Sequence, residues 1–182
     1  SKVVEMLLAV DGIQVNQADD DGWTPLNGAC WNGHWKVVEM LLAVDGIQVN
    51  TAAGNGWTPL NVACEKNHSK VVQMLLAFDG IQVNQANNEA STPLYTACQE
   101  GHSKVVNMLL AVDSIQVNQA DNKQVTPLFI ACQEGHSKVV RMLLAVAGVQ
   151  VNQANDDGMT PFTIAVSNSH TAIVILFLQR GI

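Results

Sequence analysis

Apolar residues recur along this chain in one spaced pattern. Val37, Val38, Leu41 and Leu42 lie a helical turn apart among polar neighbours, and Val71, Val72, Leu75 and Leu76 repeat them 34 residues later. The pattern returns at Val105, Val106, Leu109 and Leu110, and again at Val139, Val140, Leu143 and Leu144; residues 1–10 carry an earlier copy. Such spacing gathers the apolar side chains on one face, so each block is expected to be an amphipathic helix. A glycine-marked break such as Asp45-Gly46 follows, where a left-handed residue can end the helix. Next comes an alternating stub, Ile47-Gln48-Val49-Asn50, too short for an independent strand, and then a polar tip.

A second helix start stands at the same period. All five prolines follow a threonine, at Thr24, Thr58, Thr92, Thr126 and Thr160. A threonine hydroxyl accepts a hydrogen bond from an orphan N–H of the first turn. Proline at the next position lacks only an N–H that would have gone unpaired, and its fixed φ suits the helix. The helix from Thr24 should run to about Asn32 and close at Gly33, with Gly101 and Gly135 equivalent. Asn67 and Ser169 stand at that position in the other units; Asn tolerates left-handed φ and Ser does so poorly.

The expected unit is therefore helix, tight turn, helix and an extended tip. Neither helix can bury its apolar face alone, so stability must come from stacking on neighbours. We expect a single domain over residues 1–182: a partial repeat at 1–23, full repeats at 24–57, 58–91, 92–125 and 126–159, and a terminal repeat at 160–182. The half-repeat at the start and the nearly all-apolar stretch 171–178 suggest a fragment of a longer array, or an end covered by another chain.

The run Gly22-Trp23-Thr24-Pro25-Leu26-Asn27-x-Ala29-Cys30-x-x-Gly33-His34-x-x-Val37-Val38-x-x-Leu41-Leu42 resembles the ankyrin repeat. The resemblance covers essentially the whole chain. It implies an all-α fold, an ankyrin-repeat α-solenoid with helix-turn-helix plus a β-hairpin tip per repeat, and a non-catalytic role in protein–protein interaction. The unit here is one residue longer than the family's commonest, the extra residue falling where the second helix ends, at 43–46. The family's histidine after Thr-Pro-Leu is replaced by Asn27, Asn61, Tyr95, Phe129 and Thr163. Asn can take over some of its hydrogen bonds, whereas Tyr95 and Phe129 must pack. The tip glycine of Gly22, Gly56 and Gly158 becomes Ala90 and Gln124, so the two middle tips should be strained and more mobile or differently shaped.

Candidate chemistry changes this picture little. Cys30/His34 forms a C-x3-H pair that recurs at Cys64/His68, Cys98/His102 and Cys132/His136. Two ligands with neighbours ~10 Å away do not close a tetrahedral zinc site, and no third group orients a Cys–His nucleophile. No metal, cofactor or catalytic residue is expected. The thiols read as small buried hydrophobes that stay free, which suits an intracellular, reducing compartment, the cytoplasm foremost. The lysines Lys2, Lys36, Lys70, Lys104 and Lys138 read as a solvated outer face with pairs such as Lys36/Glu39. The asparagines Asn16, Asn50, Asn84, Asn118 and Asn152 should hold the tips by local bonds to backbone.

Composition restricts the partner. The net charge is −7, which argues against nucleic acid and anionic membrane surfaces. No apolar run approaches the ~20 residues of a membrane span, and no targeting segment is visible. The positions that differ between repeats are the tips and the exposed ends of the first helices. In the resemblance these line a concave binding face. They include Asp20, Asp21, Trp23, Trp31, Asn55, Trp57, Glu65, Glu89, Glu100, Val125, Glu134, Asp156, Asp157 and Met159. This variable set carries eight acids against two lysines, most of the chain's net charge. The expected partner is another protein, basic or apolar, bound on an acidic, tryptophan-bearing face. Two alternatives are a structural array that self-associates end to end, and the substrate-recognition arm of a larger enzyme.

Overall fold

The computed structural model describes residues 2–181. Five first helices start at the Thr-Pro steps: α2 (Pro25–Trp31), α4 (Pro59–Glu65), α6 (Pro93–Gln99), α8 (Pro127–Gln133) and α10 (Pro161–Ser167). Six second helices carry the repeated Val and Leu positions: α1 (Lys2–Leu8), α3 (Trp35–Leu42), α5 (Ser69–Leu76), α7 (Ser103–Leu110), α9 (Ser137–Leu144) and α11 (Thr171–Leu178). Each threonine caps as its chemistry requires, its Oγ1 accepting the N–H three residues on at 3.1–3.3 Å. Gly33, Gly101 and Gly135 end the first helices at φ 66°, 70° and 80°, and Asn67 and Ser169 adopt φ 59° in their place.

Two stacked layers result. Each first helix packs on the next, and from α3 onward each second helix packs on the next, with the first-helix layer the more closely packed. The core lies between the layers. In α4, α6 and α8 every residue from Pro to Cys is buried, whereas α1 has no buried residue and α10 only Pro161 and Ala165. Inner repeats gain a neighbour on both sides and end repeats on one. Val3, Met6 and Leu7 at one end, and Ile175 and Leu178 at the other, remain exposed.

The tips differ from expectation. Among the described residues there is no strand; each tip is a hydrogen-bonded turn. Its bond from the first residue's N–H to the fifth residue's carbonyl recurs from Asp19 to Trp23, Ala53 to Trp57, Asn87 to Ser91, Asp121 to Val125 and Asn155 to Met159, at 2.9–3.0 Å. One such bond per tip is too little for a ladder. Backbone bonds then tie tip to tip: Gly54 to Asp21, Asn88 to Asn55, Asn122 to Glu89 and Asp156 to Lys123, at 2.9–3.2 Å. Ala90 and Gln124 take φ 63° and 59°, so the expected strain is present. Their tips nevertheless keep the same hydrogen bonds, and a different shape for the middle tips is not found.

The asparagine column also departs from expectation. Its bonds are between repeats rather than local. Asn16, Asn50, Asn84 and Asn118 each donate from Nδ2 to a backbone carbonyl 30 residues on, at 2.8–2.9 Å. Each accepts at Oδ1 from the N–H 32 residues on, at 2.9 Å. One short amide thus satisfies both a donor and an acceptor of the next repeat, something a single repeat's sequence cannot reveal.

Candidate functional site

The variable residues gather where tips and first helices meet, along the more closely packed layer. The tips are built by a side-chain device that periodicity did not expose. Asp19, Asn87, Asp121 and Asn155 each use Oδ1 to accept two backbone N–H groups of their own turn, at 2.8–3.2 Å. Ala53 cannot, and there Asn55 Oδ1 accepts from the Trp57 N–H at 3.2 Å.

Three hollows line this surface. A cleft of about 570 Å³ is bounded by Asp19, Asp20, Asp21, Gly22, Trp23, Gly54 and Asn55. A neighbouring cleft of about 310 Å³ is bounded by Asp19, Trp23, Gly28, Trp31 and Asn32. Further along, about 350 Å³ opens between Glu89, Ser91, Tyr95, Gln99, Asp121, Asn122 and Lys123. There the Tyr95 hydroxyl donates to Asp121 Oδ2 at 3.1 Å, and burial first, then the Asp121 charge and bond, push the phenol pKa up.

Of the anticipated residues, Asp20, Asp21, Asn55, Glu89, Glu100, Glu134, Asp156, Asp157 and Trp31 are exposed. Trp23, Trp57 and Met159 are half-buried and pack on the core, so they support the repeat as well as presenting a surface. Glu65 is half-buried and paired with Lys66 at 3.3 Å. Val125 is a correction: it is 7% exposed and belongs to the core. Its tip has no glycine, and the aliphatic side chain folds under the turn that its N–H closes on Asp121.

The cysteine and histidine columns separate. All four thiols are free and buried. Burial pushes Cys30 and Cys132 up to about 12 and Cys64 and Cys98 higher still, the opposite of an activated thiolate. The histidines act between repeats. Nε2 of His68, His102, His136 and His170 bonds the carbonyl of Trp31, Glu65, Gln99 and Gln133 respectively, at 2.8–3.0 Å. Among the described residues no three His, Cys, Asp or Glu side chains are placed to share a metal ion. Asn27 takes over an inter-repeat bond: Oδ1 accepts the Thr24 N–H and hydroxyl, and Nδ2 donates to the Trp57 carbonyl at 3.2 Å. Asn61 does the same towards Ser91, while Phe129 is buried.

A family model for ankyrin repeats matches the chain in three copies, over residues 1–53, 45–121 and 111–182. The chain belongs to the ankyrin-repeat family. None of the curated proteins compared with it matches. Ankyrin repeats are generally protein–protein interaction modules and typically non-enzymatic. Among the described residues no helix of this ankyrin-repeat chain is long and apolar enough to cross a membrane. Its lysine column lies on exposed faces of the second helices. Lys36 Nζ lies 5.4 Å from the Trp35 ring and Lys70 Nζ 3.1 Å above it. Trp35, to which the sequence assigned no role, thus collects cations at the start of α3.

Proposed function

We propose that this ankyrin-repeat chain binds a basic segment of another protein along its acidic tip and first-helix surface. One observation carries it: Asp20, Asp21, Glu89, Glu100, Glu134, Asp156 and Asp157, at the tips and the ends of the first helices, are all exposed, and Asp20, Asp21 and Glu89 line the clefts. Interspersed carboxylates beside exposed indole raise the local concentration of a cationic segment and fix its register.

Binding of an octalysine peptide tests it, with octaglutamate as control, at low and high salt. The protein is expected to bind octalysine, to lose it as salt rises, and to ignore octaglutamate. Asp20→Asn/Asp21→Asn/Glu89→Gln/Glu100→Gln should weaken binding at least ~5-fold, about 1 kcal/mol. Equal binding by that variant, or equal binding of the acidic peptide, would contradict the proposal. A second reading rests on the exposed apolar residues at both ends, Val3, Met6 and Leu7 in α1 and Ile175 and Leu178 in α11. They favour end-to-end association, which a rise of mass with concentration in sedimentation would reveal and a constant monomer mass would exclude.

A further inference from the structure

Where α4, α6, α8 and α10 carry Val62, Thr96, Ile130 and Ile164, α2 carries Gly28. A Cβ at Gly28 would meet nothing within 4 Å, so the missing side chain leaves open space. That space is the cleft of about 310 Å³ bounded by Asp19, Trp23, Trp31 and Asn32. Its two indoles stand nearly perpendicular, at 85° with centroids 5.5 Å apart. Trp31 already attracts a cation, Lys66 Nζ lying 3.7 Å from its ring centroid. Asp19 makes both its turn bonds through Oδ1, so Oδ2 takes no part in the turn. Asp19 also borders the adjoining cleft with Asp20 and Asp21.

We propose that this cleft seats an arginine side chain of the bound partner. The inference rests on the basic-segment reading above and names the side chain read at this end of the surface. A guanidinium is planar and weakly hydrated, stacks on an indole face and offers a fork of donors to a carboxylate. An ammonium is a compact, strongly hydrated charge that gains less from two flat walls. A neutral side chain would forgo the Asp19 carboxylate at the rim and the nearby charges of Asp20 and Asp21 in the adjoining cleft.

The test uses the full chain labelled with 15N, whose four tryptophans report separately through their indole N–H signals. Three peptides of glycine and serine, differing only in a central arginine, citrulline or lysine, are titrated. With the arginine peptide the Trp23 and Trp31 signals should shift and saturate while Trp35 and Trp57 stay still. Citrulline, of the same shape without charge, should bind about tenfold more weakly, and lysine should fall between. Gly28→Val, which places in α2 the residue α4 has at Val62, should abolish the response; unmoved Trp35 and Trp57 signals would show that it folds. Equal binding of citrulline or lysine, equal shifts at all four indoles, or a full response in Gly28→Val would each overturn the proposal. If it falls while octalysine still binds in a salt-dependent way, only the arginine cleft is lost. If octalysine also fails to bind, the basic-segment reading falls with it.

Discussion

His68 stands against Gly33 of the preceding repeat so closely that a methyl group on Gly33 would come within 2.5 Å of Nδ1. On its other side the same ring bonds the Trp31 carbonyl through Nε2 at 3.0 Å. His136 meets Gly101 and His170 meets Gly135 in the same manner. The glycine thus serves twice, as the left-handed residue that ends one helix and as the floor for the next repeat's imidazole. Gly33→Ala should therefore cost about 2–3 kcal/mol, combining positive φ with a steric clash. Gly28→Ala, five residues earlier in open space, should instead stabilise by about 0.5–1 kcal/mol through helix propensity. Urea unfolding of the two variants should move the midpoint in opposite directions.

Ala90 and Gln124 hold the φ that Gly22, Gly56 and Gly158 hold elsewhere. Ala90→Gly and Gln124→Gly are each expected to raise stability by about 0.5–1 kcal/mol, relief of left-handed strain less the entropy glycine adds to the unfolded chain. Thermal unfolding of the single and double variants checks both sign and additivity.

Asn50 bridges to the next repeat through the Gly80 carbonyl and the Gln82 N–H. Asn50→Asp keeps the shape and the acceptor but sets a carboxylate oxygen against a carbonyl. A loss of about 1–3 kcal/mol is expected. Hydrogen exchange should place the damage at the junction around Gly80, not in the helices of its own repeat.

The four buried thiols make the protein sensitive to alkali. Burial raises their folded pKa values above the ordinary thiol value, to about 12 for Cys30 and Cys132. The folded state therefore holds these protons more tightly than the unfolded state. Their contribution is fully present below about pH 9 and declines as pH rises towards 12, by at most about 1.4 kcal/mol per thiol per pH unit. Unfolding midpoints should fall over that range, and Cys30→Ala/Cys132→Ala should fall less steeply. At neutral pH the native thiols should resist alkylation until the chain unfolds.

The repeat, the Thr-Pro helix starts and the glycine stops were legible because each is a local device with its own residue type. What joins one repeat to the next was not. The Asn50 bridge, the His68 bond to Trp31 and the tip-to-tip bonds pair residues roughly 30–37 positions apart, and a local rule has no access to them. The candidate surface rests on variation against a fixed frame. Val125 was misplaced for that reason: a position can vary and still be buried when one tip lets an aliphatic side chain fold inward. The pattern marks Trp31 as an exposed anchor, and it is 41% exposed, but its perpendicular packing on Trp23 and the notch at Gly28 are three-dimensional features that no local spacing encodes.

The proposed function depends on where a basic segment lies on this solenoid. The most direct measurement is a backbone amide map of the full chain during titration with the octalysine peptide at low salt. Perturbations are expected along Asp20, Asp21, Trp31, Glu89 and Glu100, with the outer faces of α3, α5, α7 and α9 silent. Perturbations centred on the second helices, or on the exposed apolar residues of α1 and α11, with the tips unmoved, would contradict it.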